Sequence, residues 1–302
     1  ATITAANAKR HFYLNDANAK LILRYLKLVG GDVSSYSSAP DRDGGSILIY
    51  TNGGELNLYS SIVFNNKAVI GGGIMANGDS NTNKNAIMNI YNSIIQNNEA
   101  TYSGGGIYMY RAVATIETTT IDNNQASSDG GGMFIYDSDV TMKNTIISNN
   151  DAGANGGGLY ISGDSTTVTL RQSSFINNDA TNNGDEIFTR NSPTISLINT
   201  YFNNPNNNNN IYENPNGSPT WKTCSDNLCT EEPFTGTCNA VNNGSSKLGV
   251  LCNLNCSTNH FAPLVSVAIS APSSSDTCKP WQQCDAGYKK LPQQTENIWM
   301  CT

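Results

Sequence analysis

A glycine-rich motif that recurs along the chain restricts the fold more than any other feature. Its copies begin at Gly44, Gly71, Gly104, Gly130, Gly156 and Gly184. Successive copies start 26 to 33 residues apart. A period in this range is typical of proteins in which each repeat buries its apolar face only by stacking on its neighbours. We therefore expect a stack of similar repeats.

A second motif recurs in phase with the first. Every glycine cluster after the first is preceded by an alternating segment that ends in an asparagine pair. The first members of these pairs are Asn65, Asn97, Asn123, Asn149 and Asn177, and Asn204, which Pro205 follows, closes the series. Asparagine tolerates the left-handed backbone region better than most residues, and stacked carboxamides can hydrogen-bond to one another. This column is predicted to be a structural asparagine ladder at a turn.

Apolar residues alternate with polar ones between these motifs, which indicates strands with one face directed inward. The segments are short and rich in β-branched residues, and they lack the spacing of an amphipathic helix. We predict an all-β chain with about three strands per repeat. Because parallel strands are almost always joined by right-handed crossovers, the expected fold of residues 1–213 is a right-handed parallel β-helix solenoid.

The composition changes near residue 213, because every cysteine follows it. The eight are Cys224, Cys229, Cys238, Cys252, Cys256, Cys278, Cys284 and Cys301. An even number of clustered cysteines predicts a small disulfide-rich region over 214–302 and an extracellular location, although eight cysteines allow 105 connectivities. The glycosylation motifs at Asn216, Asn243 and Asn255 agree with secretion.

The charge and hydropathy of the chain indicate which classes of partner it can bind. A net charge of −7 with 14% charged residues provides no basic surface for nucleic acid. No apolar run is long enough to insert into a membrane, and Ala1 does not begin a signal peptide. Because the chain begins inside a repeat, we expect a processed protein or a segment of a larger one.

The repeats resemble those of the polymorphic outer-membrane adhesins within the pectate-lyase-like β-helix superfamily. The likeness lies in Gly72-Gly73-Ile74 and in Phe175-Ile176-Asn177-Asn178. The segment Cys278 to Tyr288, followed by Cys301, resembles a cysteine-rich repeat of the tumour-necrosis-factor-receptor or EGF-like kind. The combination is similar to large secreted surface proteins, including the shaft proteins of flagellar hairs (mastigonemes), which implies a structural role at the cell surface.

Enzymes of that superfamily act on acidic polysaccharides through clustered carboxylates, a basic residue or calcium. This chain has only two histidines, His11 and His260, which lie far apart in sequence, and its acidic residues follow no catalytic motif. We predict no catalytic residues, cofactor or metal, and interpret both histidines as solvated or packed side chains.

One outward column is apolar where a solvated face is expected. Its members are Tyr13, Leu48, Met75, Tyr108, Phe134, Tyr160, Phe188 and Tyr212. Soluble monomers rarely expose such a stripe, so we expect something to cover it. The leading expectation is a protein contact with the C-terminal region or another subunit, and the alternatives are a flat carbohydrate and a self-contained ladder of stacked side chains. The leading hypothesis is a secreted, non-enzymatic rod that assembles with itself or another surface protein through this column. The alternatives are an adhesin that binds glycans on the same face and a polysaccharide lyase or hydrolase.

Overall fold

The computed structural model describes residues 1–50, 53–78, 85–198, 200–202, 209–215 and 217–222. Farther along the chain it describes the strands at 235–243, 246–255, 260–261, 279–280, 290–292 and 299–301. These residues form strands, turns and bends, and none of them is helical.

Most strands belong to four parallel sheets, which we call sheets A to D. Sheet A contains β1 (Thr2–Thr4), β4 (Lys27–Val29), β7 (Ile62–Phe64), β11 (Ile94–Gln96), β15 (Thr120–Asp122), β19 (Ile146–Ser148), β23 (Ser174–Ile176) and β27 (Tyr201–Phe202). Sheet B contains β2 (Phe12–Leu14), β5 (Ile47–Ile49), β9 (Ile74–Asn77), β13 (Ile107–Tyr110), β17 (Met133–Tyr136), β21 (Leu159–Ser162), β25 (Ile187–Arg190) and β28 (Ile211–Glu213).

Sheet C contains β3 (Lys20–Arg24), β6 (Gly54–Tyr59), β10 (Ala86–Tyr91), β14 (Ala112–Glu117), β18 (Asp139–Lys143), β22 (Thr167–Arg171), β26 (Thr194–Ile198) and β29 (Thr220–Lys222). Sheet D is shorter and contains β8 (Lys67–Ile70), β12 (Glu99–Ser103), β16 (Gln125–Ala126), β20 (Asp151–Ala152) and β24 (Asp179–Ala180). Three antiparallel pairs follow: β30 (Thr235–Asn243) with β31 (Ser246–Asn255), β32 (His260–Phe261) with β33 (Lys279–Pro280), and β34 (Lys290–Pro292) with β35 (Trp299–Cys301).

Each repeat contributes strands in the order B, C, A and D, and each strand pairs in parallel with its counterparts in the adjacent repeats. The predicted all-β chain of stacked parallel strands is thereby confirmed for the described residues. The expected three strands per repeat become four in the central repeats, because the two to five residues after each asparagine pair also form a strand. Parallel pairing also runs past residue 213, since β29 pairs with β26.

The core lies between the sheets and consists of side chains from alternate strand positions. In sheet C, Leu56, Met88 and Ala114 are paired neighbours and all are buried. In sheet A, Val63, Ile95 and Ile121 form an equivalent row. Strand pairing provides hydrogen-bond partners for the buried backbone N–H and C=O groups. Burial of the apolar side chains stabilises the stack by about 25 cal/mol for each Å² of apolar surface removed from water.

Candidate functional site

The predicted apolar column, which we call the aromatic column, lies on the face of sheet B opposite the core. Pairing aligns all its members in the predicted order: Tyr13, Leu48, Met75, Tyr108, Phe134, Tyr160, Phe188 and Tyr212. Successive side chains of a strand point to opposite faces of the sheet. Each member of the column follows an inward residue and therefore points outward.

The expectation that this column is exposed is wrong along most of its length. Only Tyr13, at the first strand of the sheet, is exposed, with 46% of its surface accessible. Leu48, Met75, Tyr160 and Phe188 are buried, and the remaining three rings are half-buried. The column is therefore largely shielded by its own chain, and the partner-binding role assigned to it stays a prediction.

Stacking between the rings explains much of this shielding. The ring centroids of Tyr108, Phe134 and Tyr160 are 4.8 and 4.6 Å apart along the column, with interplanar angles of 3° and 7°. The series continues through Phe188 to Tyr212 at 4.9 and 5.5 Å. Paired strands lie about 4.8 Å apart, so the sheet itself sets this ring spacing. Each inner ring uses both faces on its neighbours and directs only its edge outward.

This geometry bears on the glycan hypothesis. A flat ligand that stacks on an aromatic side chain needs a free ring face, and the inner rings of the column have none. Tyr13 differs, because its ring is tilted by 53° against Tyr50 and the Arg10 guanidinium lies 5.4 Å from its centroid. The first ring of the column is thus the accessible one, and a cation already lies beside it.

Polar groups surround the outward ring edges. Burial, followed by the nearby Asp43 carboxylate, raises the pKa of Tyr108 to about 12. Burial also raises the pKa of Tyr160, although the Arg190 guanidinium, which hydrogen-bonds to its hydroxyl, opposes this shift. Both hydroxyls are therefore neutral hydrogen-bonding groups near pH 7.

The loop that precedes the second repeat is tied to the start of the chain. Arg10 donates from Nη2 to the carbonyl oxygens of Pro40 and Asp41, and the Tyr36 hydroxyl donates to the Ala8 carbonyl. Asp43 ends this loop and is buried. Burial raises the pKa of Asp43 to about 6 against the opposing charges of Arg42 and Arg10. The loop thus encloses an acidic group with two cations nearby.

The predicted asparagine column divides into two roles. Asn65, Asn97, Asn123, Asn149 and Asn177 all have φ between 51° and 56°, as expected of residues at left-handed turns. Asn204 lies outside the described residues. These first asparagines do not form the buried ladder, because the residues that follow them do: Asn66, Asn98, Asn124, Asn150 and Asn178.

In this buried series, which we call the carboxamide ladder, each side chain is fully paired. Oδ1 of Asn124 accepts from both the backbone N–H and Nδ2 of Asn98, at 3.0 and 2.9 Å. Nδ2 of Asn124 donates to Asn150 Oδ1 at 3.0 Å and to the Ile95 carbonyl at 3.0 Å. Sequence reasoning identified only the first residue of each pair, although the repeated doubling of asparagine already signalled a second role.

Most of the predicted cysteine and glycosylation sites lie outside the described residues, and the others lie in strands for which the structure describes the backbone alone. Cys238 and Cys252 face each other across the β30–β31 pair, and Cys301 ends β35. Asn243 and Asn255 end β30 and β31. The remaining predicted sites, Cys224, Cys229, Cys256, Cys278, Cys284 and Asn216, lie outside the described residues. The disulfide and glycosylation assignments stay predictions.

His11 is packed in the first repeat, with Nδ1 3.0 Å from Ser46 Oγ and Nε2 3.1 Å from the Ile3 carbonyl oxygen. Burial lowers its pKa, so this imidazole is neutral near pH 7. Within the described part of the chain, no three His, Cys, Asp or Glu side chains are grouped to hold a metal ion. No helix among those residues is long and apolar enough to cross a membrane.

No protein-family model, no curated protein and no solved structure matches this chain.

Proposed function

We propose that this chain is a secreted, non-enzymatic structural protein whose repeats form a right-handed parallel β-helix, and that this rod assembles into a cell-surface fibre or appendage. The observation that carries the proposal is the presence of continuous side-chain ladders parallel to the stacking direction. Seven strand spacings of about 4.8 Å give a shaft about 34 Å long.

The ladders support a rigid rod because they join every central repeat to the next. Between the repeats of Asn124 and Asn150, two side-chain-mediated hydrogen bonds, two ring stacks and the strand pairing all act together. Bending the rod at that point would break several of these contacts at once. Repeat proteins gain stability from such nearest-neighbour interfaces, and a long shaft follows from repeating them.

The first repeat favours association along the rod. Its strands β1, β2 and β3 each have a partner on one side only. The most exposed large apolar residues of this repeat are Ile3, Tyr13, Ile22 and Tyr25. Exposed apolar side chains that lie close together mark surfaces that bind other proteins. We therefore assign the assembly contact to these side chains, with Tyr13 as the member of the aromatic column that takes part.

Charge complementarity indicates which surface pairs with that edge. Residues 1–29 contain five Lys and Arg against one Asp, a net +4, whereas the whole chain carries −7. The opposite end of the described shaft carries the acidic residues Asp179, Asp185 and Glu213 against the basic residues Arg190 and Lys222. Opposite charges at the two ends favour head-to-tail contact between copies, which yields open filaments.

The extracellular assignment is supported by the cysteines and glycosylation motifs that follow residue 213. Eight cysteines in this part of the chain favour an oxidising compartment. Asn216, Asn243 and Asn255 supply glycosylation motifs within the same region. A carbohydrate coat there would solvate that region while the repeats remain free to pack.

Sedimentation of residues 1–302 across a concentration series, with electron microscopy of the same samples, tests the proposal. We expect concentration-dependent linear particles for the native chain. The variant Tyr13→Ser/Ile22→Ser removes two exposed apolar side chains from the first repeat and should reduce assembly about tenfold or more. The control Ile87→Ser/Val113→Ser removes comparably exposed side chains from the middle of sheet C. A monomeric native chain, or equal loss in both variants, would contradict the proposal.

A further inference from the structure

Glu186 occupies a position that is glycine in the four preceding strong repeats. The third residues of those glycine clusters are Gly73, Gly106, Gly132 and Gly158. Only 2% of the surface of Glu186 is accessible. A buried carboxyl group costs free energy unless it is neutral or well paired, so a glutamate at this position requires a structural reason.

Two neighbours leave no room for a Cβ atom at these glycines. At Gly106 it would lie 2.7 Å from the Gly132 carbonyl oxygen and 3.1 Å from Cγ of Asn124. At Gly132 it would lie 2.6 Å from the Gly158 carbonyl oxygen and 3.1 Å from Nδ2 of Asn150. A side chain at this position therefore competes with the backbone of the adjacent repeat and with an asparagine of the carboxamide ladder.

That following asparagine is missing in one place. The residue that continues the series after Asn178 is Pro205, which has no carboxamide. Nδ2 of Asn178 donates instead to Oε2 of Glu186, as Nδ2 of Asn150 donates to Oδ1 of Asn178. The Glu186 carboxyl group thus replaces the next member of the ladder from a different position in the sequence.

We infer that Glu186 is a pH-sensitive terminus of the carboxamide ladder, which holds the last repeats together while it is protonated and weakens them when it ionises. The inference stands on the packing at Asn178 and does not depend on the proposed role in a fibre. It assigns the end of the described carboxamide ladder a carboxyl group in place of an asparagine.

The groups around Glu186 fix the direction of the pH effect. Its pKa is raised to about 8, mainly by burial and also by the Asp185 carboxylate, while the hydrogen bonds from Asn178 oppose the shift. The residues that hydrogen-bond to it, Asn178 and Asn210, carry no charge. Asp185 is therefore the charged neighbour that matters.

The folded state retains this proton at pH values where the unfolded chain has lost it. Between the ordinary pKa of 4.5 and about 8, the native protein binds the additional proton, so its stability falls as the pH rises. This one group changes the unfolding equilibrium by up to about tenfold per pH unit within that window. Below 4.5 its contribution is constant.

The test is urea unfolding of the oxidised full chain between pH 5 and 9, with the variant Glu186→Gln. Glutamine keeps the acceptor oxygen for Asn178 but does not titrate. We expect the native chain to lose stability across this range and the variant to show a profile flatter by up to about tenfold per pH unit. Identical pH profiles for the two proteins would overturn the inference.

A second variant keeps the inference testable if glutamine disturbs the packing. Glu186→Gly/Pro205→Asn restores the pattern of the preceding repeats and should both fold and remove the same pH dependence. Glu186→Gly alone leaves Asn178 without its side-chain acceptor and should unfold at lower urea concentration than the double variant. If the single and double variants unfold alike, the ladder does not end at Glu186.

Discussion

The two asparagines of each pair differ in function although they adjoin in sequence. Asn123 has φ of 51° at an exposed turn, where its carboxamide donates to Asn97 at 2.7 Å. Asn124 is 1% exposed, and four hydrogen bonds involve its side chain. A buried polar group that loses its partners costs more than an exposed one, because water cannot replace them.

Replacing these two residues separately should therefore give unequal losses. Asn124→Ala deprives Asn98 and Asn150 of buried partners, and we expect a loss of about 2–5 kcal/mol in the free energy of unfolding. Asn123→Ala loses one exposed hydrogen bond and places alanine in the left-handed region, a cost of about 1–2 kcal/mol. Urea denaturation of both variants measures the difference. Equal losses would show that the buried series does not stabilise the stack.

In sheet B, the separation of paired strands explains why the aromatic side chains of successive repeats stack on one another. Adjacent members stack with centroids 4.6 to 5.5 Å apart from Tyr108 to Tyr212, close to the separation of paired strands. Parallel strands in register place identical positions directly above one another, so an aromatic residue in successive repeats must stack. The column therefore stabilises sheet B from its outer side.

Removing an inner ring should affect stability more than assembly. Phe134→Ser breaks two stacks and exposes the flanking rings, and we expect a loss of about 2–4 kcal/mol. Assembly of the folded variant should stay unchanged, because the faces of this ring are not available to a partner. Tyr13→Ser is the matched substitution at the exposed end, where we expect little loss of stability and weaker assembly. Sedimentation under native conditions and urea denaturation separate the two effects.

If Phe134→Ser abolished assembly while its unfolding curve remained that of the native chain, the column would be an interface along its length. The sequence-based hypothesis would then hold in its original form. The mutual stacking of Phe134 with Tyr108 and Tyr160 makes the opposite result the expected one.

For the whole molecule, the distribution of charge defines a direction along the stack. The first 29 residues carry a net +4, and the remaining residues carry −11. The exposed cations Lys9, Lys20 and Arg24 lie in that first repeat. In the assembly that we propose, this asymmetry would attract copies end to end, and such attraction extends over about 10 Å at 0.1 M salt.

Association should accordingly weaken as the salt concentration rises. Between 20 and 500 mM NaCl we expect the apparent dissociation constant to increase about tenfold or more, because screening reduces the attraction between the ends. Lys9→Ser should weaken association at low salt, whereas Lys143→Ser, which removes an exposed cation from the middle of the shaft, should not. Analytical ultracentrifugation provides the measurement. Association that is insensitive to salt would exclude charge as its cause.

The sequence by itself determined the repeat, the strands and the columns that they form. Leu56, Met88 and Ala114 occupy equivalent inward positions of successive repeats and are paired, and Tyr108 and Phe134 are paired as predicted. The reason is local. Alternation along a strand decides which face of the sheet a side chain points to, and a nearly constant repeat length places equivalent positions next to one another.

Only the tertiary structure decided which outward side chains remain exposed and which polar ones are buried. Phe134 is shielded by rings one repeat away on either side, at 4.8 and 4.6 Å. Asn124 rather than Asn123 enters the ladder, and Glu186 ends that ladder in the place of an absent asparagine. Burial depends on neighbours that are distant in sequence, and the alternation within one strand contains no information about them.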